Sequence, residues 1–111
     1  MKIFACLAQI RAFETAQLAF LRSRVDFDIV HVIGLYQERG DPLLLKQLYL
    51  EVTASFATVS RRLAVLRRHG AILSDAHGSD ARMITLTLSP ATLELYARYA
   101  DVLRALPLHP E

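Results

Sequence analysis

The stretch Thr53–Gly70, TASFATVSRRLAVLRRHG, constrains this chain more than any other, because it encodes one amphipathic helix with its own start, face and stop. Ser55 is a residue type that caps helices, since its hydroxyl can accept from a backbone N–H two or three positions on, at Ala57 or Thr58. Gly70 tolerates the left-handed conformation that commonly ends a helix. The spacing therefore predicts a helix over about Phe56–His69. At roughly 100° per residue, Val59, Leu63 and Leu66 share one stripe, while Ala57, Ser60, Arg61, Ala64 and Arg68 lie opposite. One face can pack on a core; the other is small, hydroxylated and cationic.

Arg61, Arg62, Arg67, Arg68 and His69 cluster in this stretch, and no Asp or Glu occurs from Val52 to Ser74. An ordinary solvated helix mixes signs through pairs at i,i+4. Small residues beside Arg61 would let the backbone approach another surface, as entry into a DNA major groove about 12 Å wide requires. The plainer alternative is a basic face that meets only solvent.

A chain of 111 residues with 53% hydrophobic content can bury one core and is too short for two ordinary domains, so a single domain over 1–111 is expected. Net charge is only +2 and the pI about 9.0, so the case for a polyanionic partner rests on clustering, not on total charge. Cys6 is the only cysteine, which excludes an intrachain disulfide and a multi-cysteine zinc site and fits a reducing compartment. Its default role is a small buried hydrophobe, although a thiol there could in principle sense oxidation. The apolar opening IFACLA is interrupted by Gln9, Arg11 and Glu14 before a signal-peptide core would form, and no other segment approaches membrane-spanning length. A cytoplasmic protein with no membrane partner is expected.

Lys2–Arg24 contains neither Gly nor Pro and predicts one long helix. Ile3, Leu7, Ile10 and Phe13 form a stripe, but Phe4, Leu18, Phe20 and Leu21 widen the apolar surface beyond what one small domain covers. Each such side chain gains about 1.5–3 kcal/mol on burial, so a helix from a second copy is expected to cover them. A second helix is predicted over Phe27–Arg39, with Ile29, Val30 and Ile33 inward, Asp26 or Asp28 at its positive end, and Gly40-Asp41-Pro42 as its stop. His31 has no partner at metal-ligand spacing and reads as structural. Leu43 is assigned a very short strand and Leu45–Val52 a third helix.

The turn Thr53-Ala54 joins that third helix to the basic one, which makes a helix-turn-helix. Beyond Gly70 the period becomes two: Ala71–Leu73 and Met83–Leu88 read as strands, with Ile84, Leu86 and Leu88 on one face, and His77-Gly78-Ser79-Asp80 as the turn between them. Ser89-Pro90 starts a last helix that runs to about Leu106, with Leu93, Tyr96, Ala100 and Leu103 as its stripe. The expected fold is mainly α with a small β-hairpin wing, a winged helix-turn-helix. Its DNA-binding lobe spans 27–88, and its dimerisation helices span 1–24 and 90–106.

From about Asp28 to Leu95 the sequence resembles the MarR-type winged-helix transcription regulators. LKQLYLEVTASFATVSRRLAVLRRHGAI is similar to the family's helix-turn-helix, and DARMITLTLS to its wing motif, through Asp80, Arg82, Leu86, Leu88 and Ser89. The resemblance implies a homodimer on double-stranded DNA, with recognition helices in successive major grooves and wings near the flanking minor groove. Together with the basic face, it gives an expected DNA-binding set of Ser55, Ala57, Thr58, Ser60, Arg61, Arg62, Arg68 and Arg82, with Asp80 orienting Arg82. Arg67 joins the expected phosphate contacts. No cofactor or metal is implied, and a small-molecule effector is left open. Thr53 stands where the family's turn often has Gly, Leu44 where a Ser or Thr cap is usual, and Phe56 where an apolar residue is unusual, so Phe56 is read as a staple to the core. Two other function classes compete. A winged helix can bind protein instead of DNA, though that needs no acid-free arginine face. For an enzyme, no nucleophile–base arrangement, phosphate loop or paired-acid motif is visible, and His31, His69, His77 and His109 fall into no motif.

Overall fold

The computed structural model describes residues 2–77 and 83–108. Their order is α1 (Ile3–Gln17), α2 (Arg24–Glu38), β1 (Leu43–Leu44), α3 (Leu45–Glu51), α4 (Phe56–Arg68), β2 (Ile72–Ala76), β3 (Ile84–Leu88) and α5 (Pro90–Arg104). These residues form two compact units, one comprising residues 21–92 and the other joining the segment through Phe20 to the segment from Leu93 onward.

The first helix is shorter than its composition predicts. It ends at Gln17, where the Leu18 N–H bonds to the Glu14 carbonyl, instead of running on to Arg24. The next helix starts earlier than predicted because Ser23 caps it: the Ser23 hydroxyl accepts from the Asp26 N–H at 3.3 Å, and the Asp26 carboxylate accepts from the Arg22 N–H at 2.8 Å. This reciprocal arrangement fixes α2 from Arg24, three residues before the expected Phe27.

In the 21–92 unit, Ile29, Val30 and Ile33 of α2 are buried with Leu43, Leu48, Leu66, Ile72 and Leu86. α2 and β3 approach closely at Gly34, where a Cβ would meet Leu88 Cδ1 at 3.2 Å and displace that methyl by a few tenths of an ångström. Three residues on, the Gln37 Oε1 accepts from the Leu88 N–H at 2.7 Å. The sheet has the order β1-β3-β2, all antiparallel, with Leu43 opposite Leu86 and Ile72 opposite Leu88. The expected alternation on β3 holds, in that Leu86 and Leu88 are buried. After α5 begins, the Thr92 hydroxyl donates to the Ala71 carbonyl at 3.0 Å while its N–H bonds to the Ser89 hydroxyl, so the Ser89-Pro90 start is fixed as predicted.

In the other unit, Cys6, Leu18 and Leu106 are buried. The Phe13 and Tyr99 rings lie 5.0 Å apart, Tyr96 stacks on Tyr99 at 5.7 Å, and the Tyr99 hydroxyl donates to Glu14 Oε2 at 3.0 Å. Burial, and then the Glu14 carboxylate, push the Tyr99 hydroxyl up to about 12, so it remains a donor at any ordinary pH. Ile3, Phe4, Leu7, Leu93 and Leu103 stay exposed, Phe4 by 82%. No helix among the described residues is long and apolar enough to cross a membrane.

Candidate nucleic-acid interface

The helix α4 is built as its sequence dictates. Its first turn is capped by Ser55, whose hydroxyl accepts from the Thr58 N–H at 3.2 Å and donates to the Thr58 hydroxyl at 2.9 Å. Its end is set by Gly70, at φ 82°, where any side chain would be strained. The preceding helix lacks a hydroxyl cap at Leu44, and Gln47 substitutes from within: its Oε1 accepts from the Leu44 N–H at 2.9 Å. That is half of a capping box, enough to start α3 without Ser or Thr.

Seating of α4 comes from Val59, Leu63 and Leu66, all buried. The opposite face carries Ala57, Arg61, Ala64 and Arg68, all exposed, with Ser60 half-buried at its edge. Neither Arg61 nor Arg68 makes an ion pair with a described residue. Arg67 donates through Nη2 to the Ser74 hydroxyl at 2.7 Å, so its guanidinium is held over β2. Ala64, Arg67, Arg68, Ile72, Leu73 and Ser74 line an open groove between α4 and β2. Two of its six lining side chains are cationic, and none is acidic.

Two of the expected contacts are placed otherwise. Arg62, expected to face DNA, turns to α2 instead: its Nε and Nη2 reach the two oxygens of Asp26 at 2.7 and 2.8 Å. The Asp26 side chain is wholly buried and that of Arg62 is 19% exposed. Burial alone would push the Asp26 carboxyl up, but the hydrogen bonds from Arg62, the Arg22 N–H and Ser23 outweigh it and hold the group below its ordinary value. The bond to Asp26 raises Arg62 above its own. A guanidinium bound on both arms to a buried carboxylate is a strut between α2 and α4, with little left to offer a phosphate. Helical phase had placed Arg62 at the margin of the packed stripe, and only its partner shows which way it turns.

Phe56 is the second. Expected as a staple into the core, it is 68% exposed and stacks on Tyr49 of α3, ring centroids 4.4 Å apart and 28° from parallel. The expected wing residues Asp80 and Arg82 lie outside the described residues, as do Gly78 and Ser79 of the expected turn. At the near end of that segment, His77 Nε2 lies 3.1 Å from the Thr85 hydroxyl across the hairpin. Among the described residues, no three His, Cys, Asp or Glu side chains converge as a metal site.

Solved structures of similar fold are found by comparison. NadR in complex with 4-hydroxyphenylacetate superposes with a TM-score of 0.61 at 18% identity, over 90% of this chain and 68% of that one. The chain has the MarR-type winged-helix fold. A MarR-family regulator from Silicibacter pomeroyi matches over 97% of this chain and 75% of its own, with a TM-score of 0.56 and 19% identity. The M. tuberculosis transcriptional regulator MOSR, solved in complex with DNA, matches over 90% and 74%, with a TM-score of 0.54 and 23% identity. No protein-family model matches the sequence, and no curated protein matches it significantly. The MarR-type fold is thus carried here by a sequence no more than 23% identical to these three neighbours.

Proposed function

We propose that the protein is a transcription regulator that binds double-stranded DNA sequence-specifically as a homodimer in the cytoplasm, with α4 in the major groove and the β2–β3 wing at the flanking backbone or minor groove. The observation that carries this reading is the outer face of α4: Arg61 and Arg68 stand exposed, without an ion-pair partner among the described residues, on the same face as Ala57 and Ala64, on a helix fixed at both ends and bolted to α2. A face of that kind attracts phosphates and lets the backbone approach base edges. Arg61 is assigned to a base edge, most often guanine O6 and N7, and Ser55, Ala57, Thr58 and Ser60 to the groove or its rim. Arg67 and Arg68 are assigned to phosphates, joined by Arg82 with Asp80 orienting it, on the strength of the wing motif. Arg62 is assigned to support. The exposed Ile3, Phe4, Leu7, Leu93 and Leu103 supply the apolar surface for a second copy. That MOSR was solved with DNA supports the reading.

Selection of bound fragments from a random duplex pool tests it. The expected product is an inverted repeat whose half-sites are about one helical turn apart. Recovery of no enriched sequence would remove specific DNA binding.

A further inference from the structure

We infer that Phe56 determines sequence specificity by reading the 5-methyl group of a thymine in the major groove, an inference that rests on the DNA-binding reading above. A phenylalanine 68% exposed at the first turn of a helix contributes nothing to the core. Its ring is nevertheless not loose, because Tyr49 of the neighbouring helix stacks on one face of it at 4.4 Å and leaves the rest outward. Helical phase sets Phe56 about 40° from Ser60 and 100° from Ala57, so it borders the arc that continues to Arg61. An ordered apolar group on the rim of an acid-free cationic face fits a partner that is polyanionic and offers a small apolar target. Among the groups that base pairs present in the major groove, the thymine C5-methyl is the apolar one, and phenylalanine is among the side chains that contact it. An apolar protein partner would meet Arg61, between one and two turns further along the same helix and without an ion-pair partner among the described residues, and is disfavoured for that reason.

The test replaces thymines of the selected duplex by uracil one at a time, which deletes the methyl group and leaves base pairing intact. Wild-type protein should lose about threefold to tenfold in affinity at one thymine of each half-site, the effect of one buried methyl or slightly more. Phe56→Ala should weaken binding to the thymine duplex by a similar factor and no longer distinguish thymine from uracil. Phe56→Leu should keep part of the discrimination, and unchanged thermal melts should show that both variants fold. Indifference of the wild type to uracil at every position, a selected site without thymine, or methyl sensitivity that survives in Phe56→Ala would each overturn the inference while leaving DNA binding in place. A protein that selects no duplex overturns both.

Discussion

Arg62 and Asp26 show how much one pair of side chains decides here. Their ion pair lies between α2 and α4, with the carboxylate fully buried, so removing the arginine strands a charge in the core. Arg62→Met should cost about 3–5 kcal/mol in urea denaturation, and Asp26→Leu added to it should restore much of that, because an apolar pair of similar volume carries no desolvation cost. The pair also predicts a pH dependence. Since the folded Asp26 titrates below its unfolded value of about 3.9, its contribution is fully present above that pH and is lost as pH falls through the lower folded value. Wild-type stability should therefore fall on acidification below about pH 4 more steeply than that of Asp26→Asn, and equal slopes would contradict the assignment. None of this was legible in the sequence. Arg62 sits among four other basic residues, and its partner lies 36 positions earlier, so helical phase can set it at the margin of the stripe, apart from Arg61, but cannot show that it pairs inward.

Elements were more legible than residues where their ends are marked by chemistry. Ser55 and Gly70 bracket α4, and Ser89-Pro90 opens α5, because a hydroxyl cap, a residue free to take positive φ and a proline each act on their own neighbours. Ser55→Ala should lower stability by about 1 kcal/mol in a thermal or urea melt, with its loss concentrated in amide exchange of the first turn. Equal exchange in the two proteins would show that packing alone sets that end. The boundary between α1 and α2 is masked in the sequence because apolar residues run through Leu18, Phe20 and Leu21 without Gly or Pro. The signal was present in Ser23 and Asp26, three apart like a capping box, but it competed with an unbroken helix-forming composition. The orientation of Phe56 is illegible for a different reason: periodicity puts it at the flank of the stripe, and only the position of Tyr49 decides whether it turns in or out.

At the scale of the whole molecule, the proposed account needs a dimer and a polyanion. Sedimentation equilibrium should give twice the 12.5 kDa chain mass, and Phe4→Glu, which places a charge on the most exposed apolar site of α1, should shift it toward monomer. A wild-type monomer at micromolar concentration would remove the homodimer. Three phosphate contacts per subunit, through Arg67, Arg68 and Arg82, make six in a dimer, so log K against log salt should slope by about −5. A flat dependence would exclude DNA. The measurement that bears most directly on the central claim, that the outer face of α4 reads base sequence, is the titration of wild type and Arg61→Ala on one selected and one scrambled duplex at a single salt concentration. The account predicts a loss of about 1–3 kcal/mol on the selected duplex and a much smaller one on the scrambled duplex. Equal losses on the two would make Arg61 a backbone contact, and no loss on either would contradict the assignment of that face to DNA.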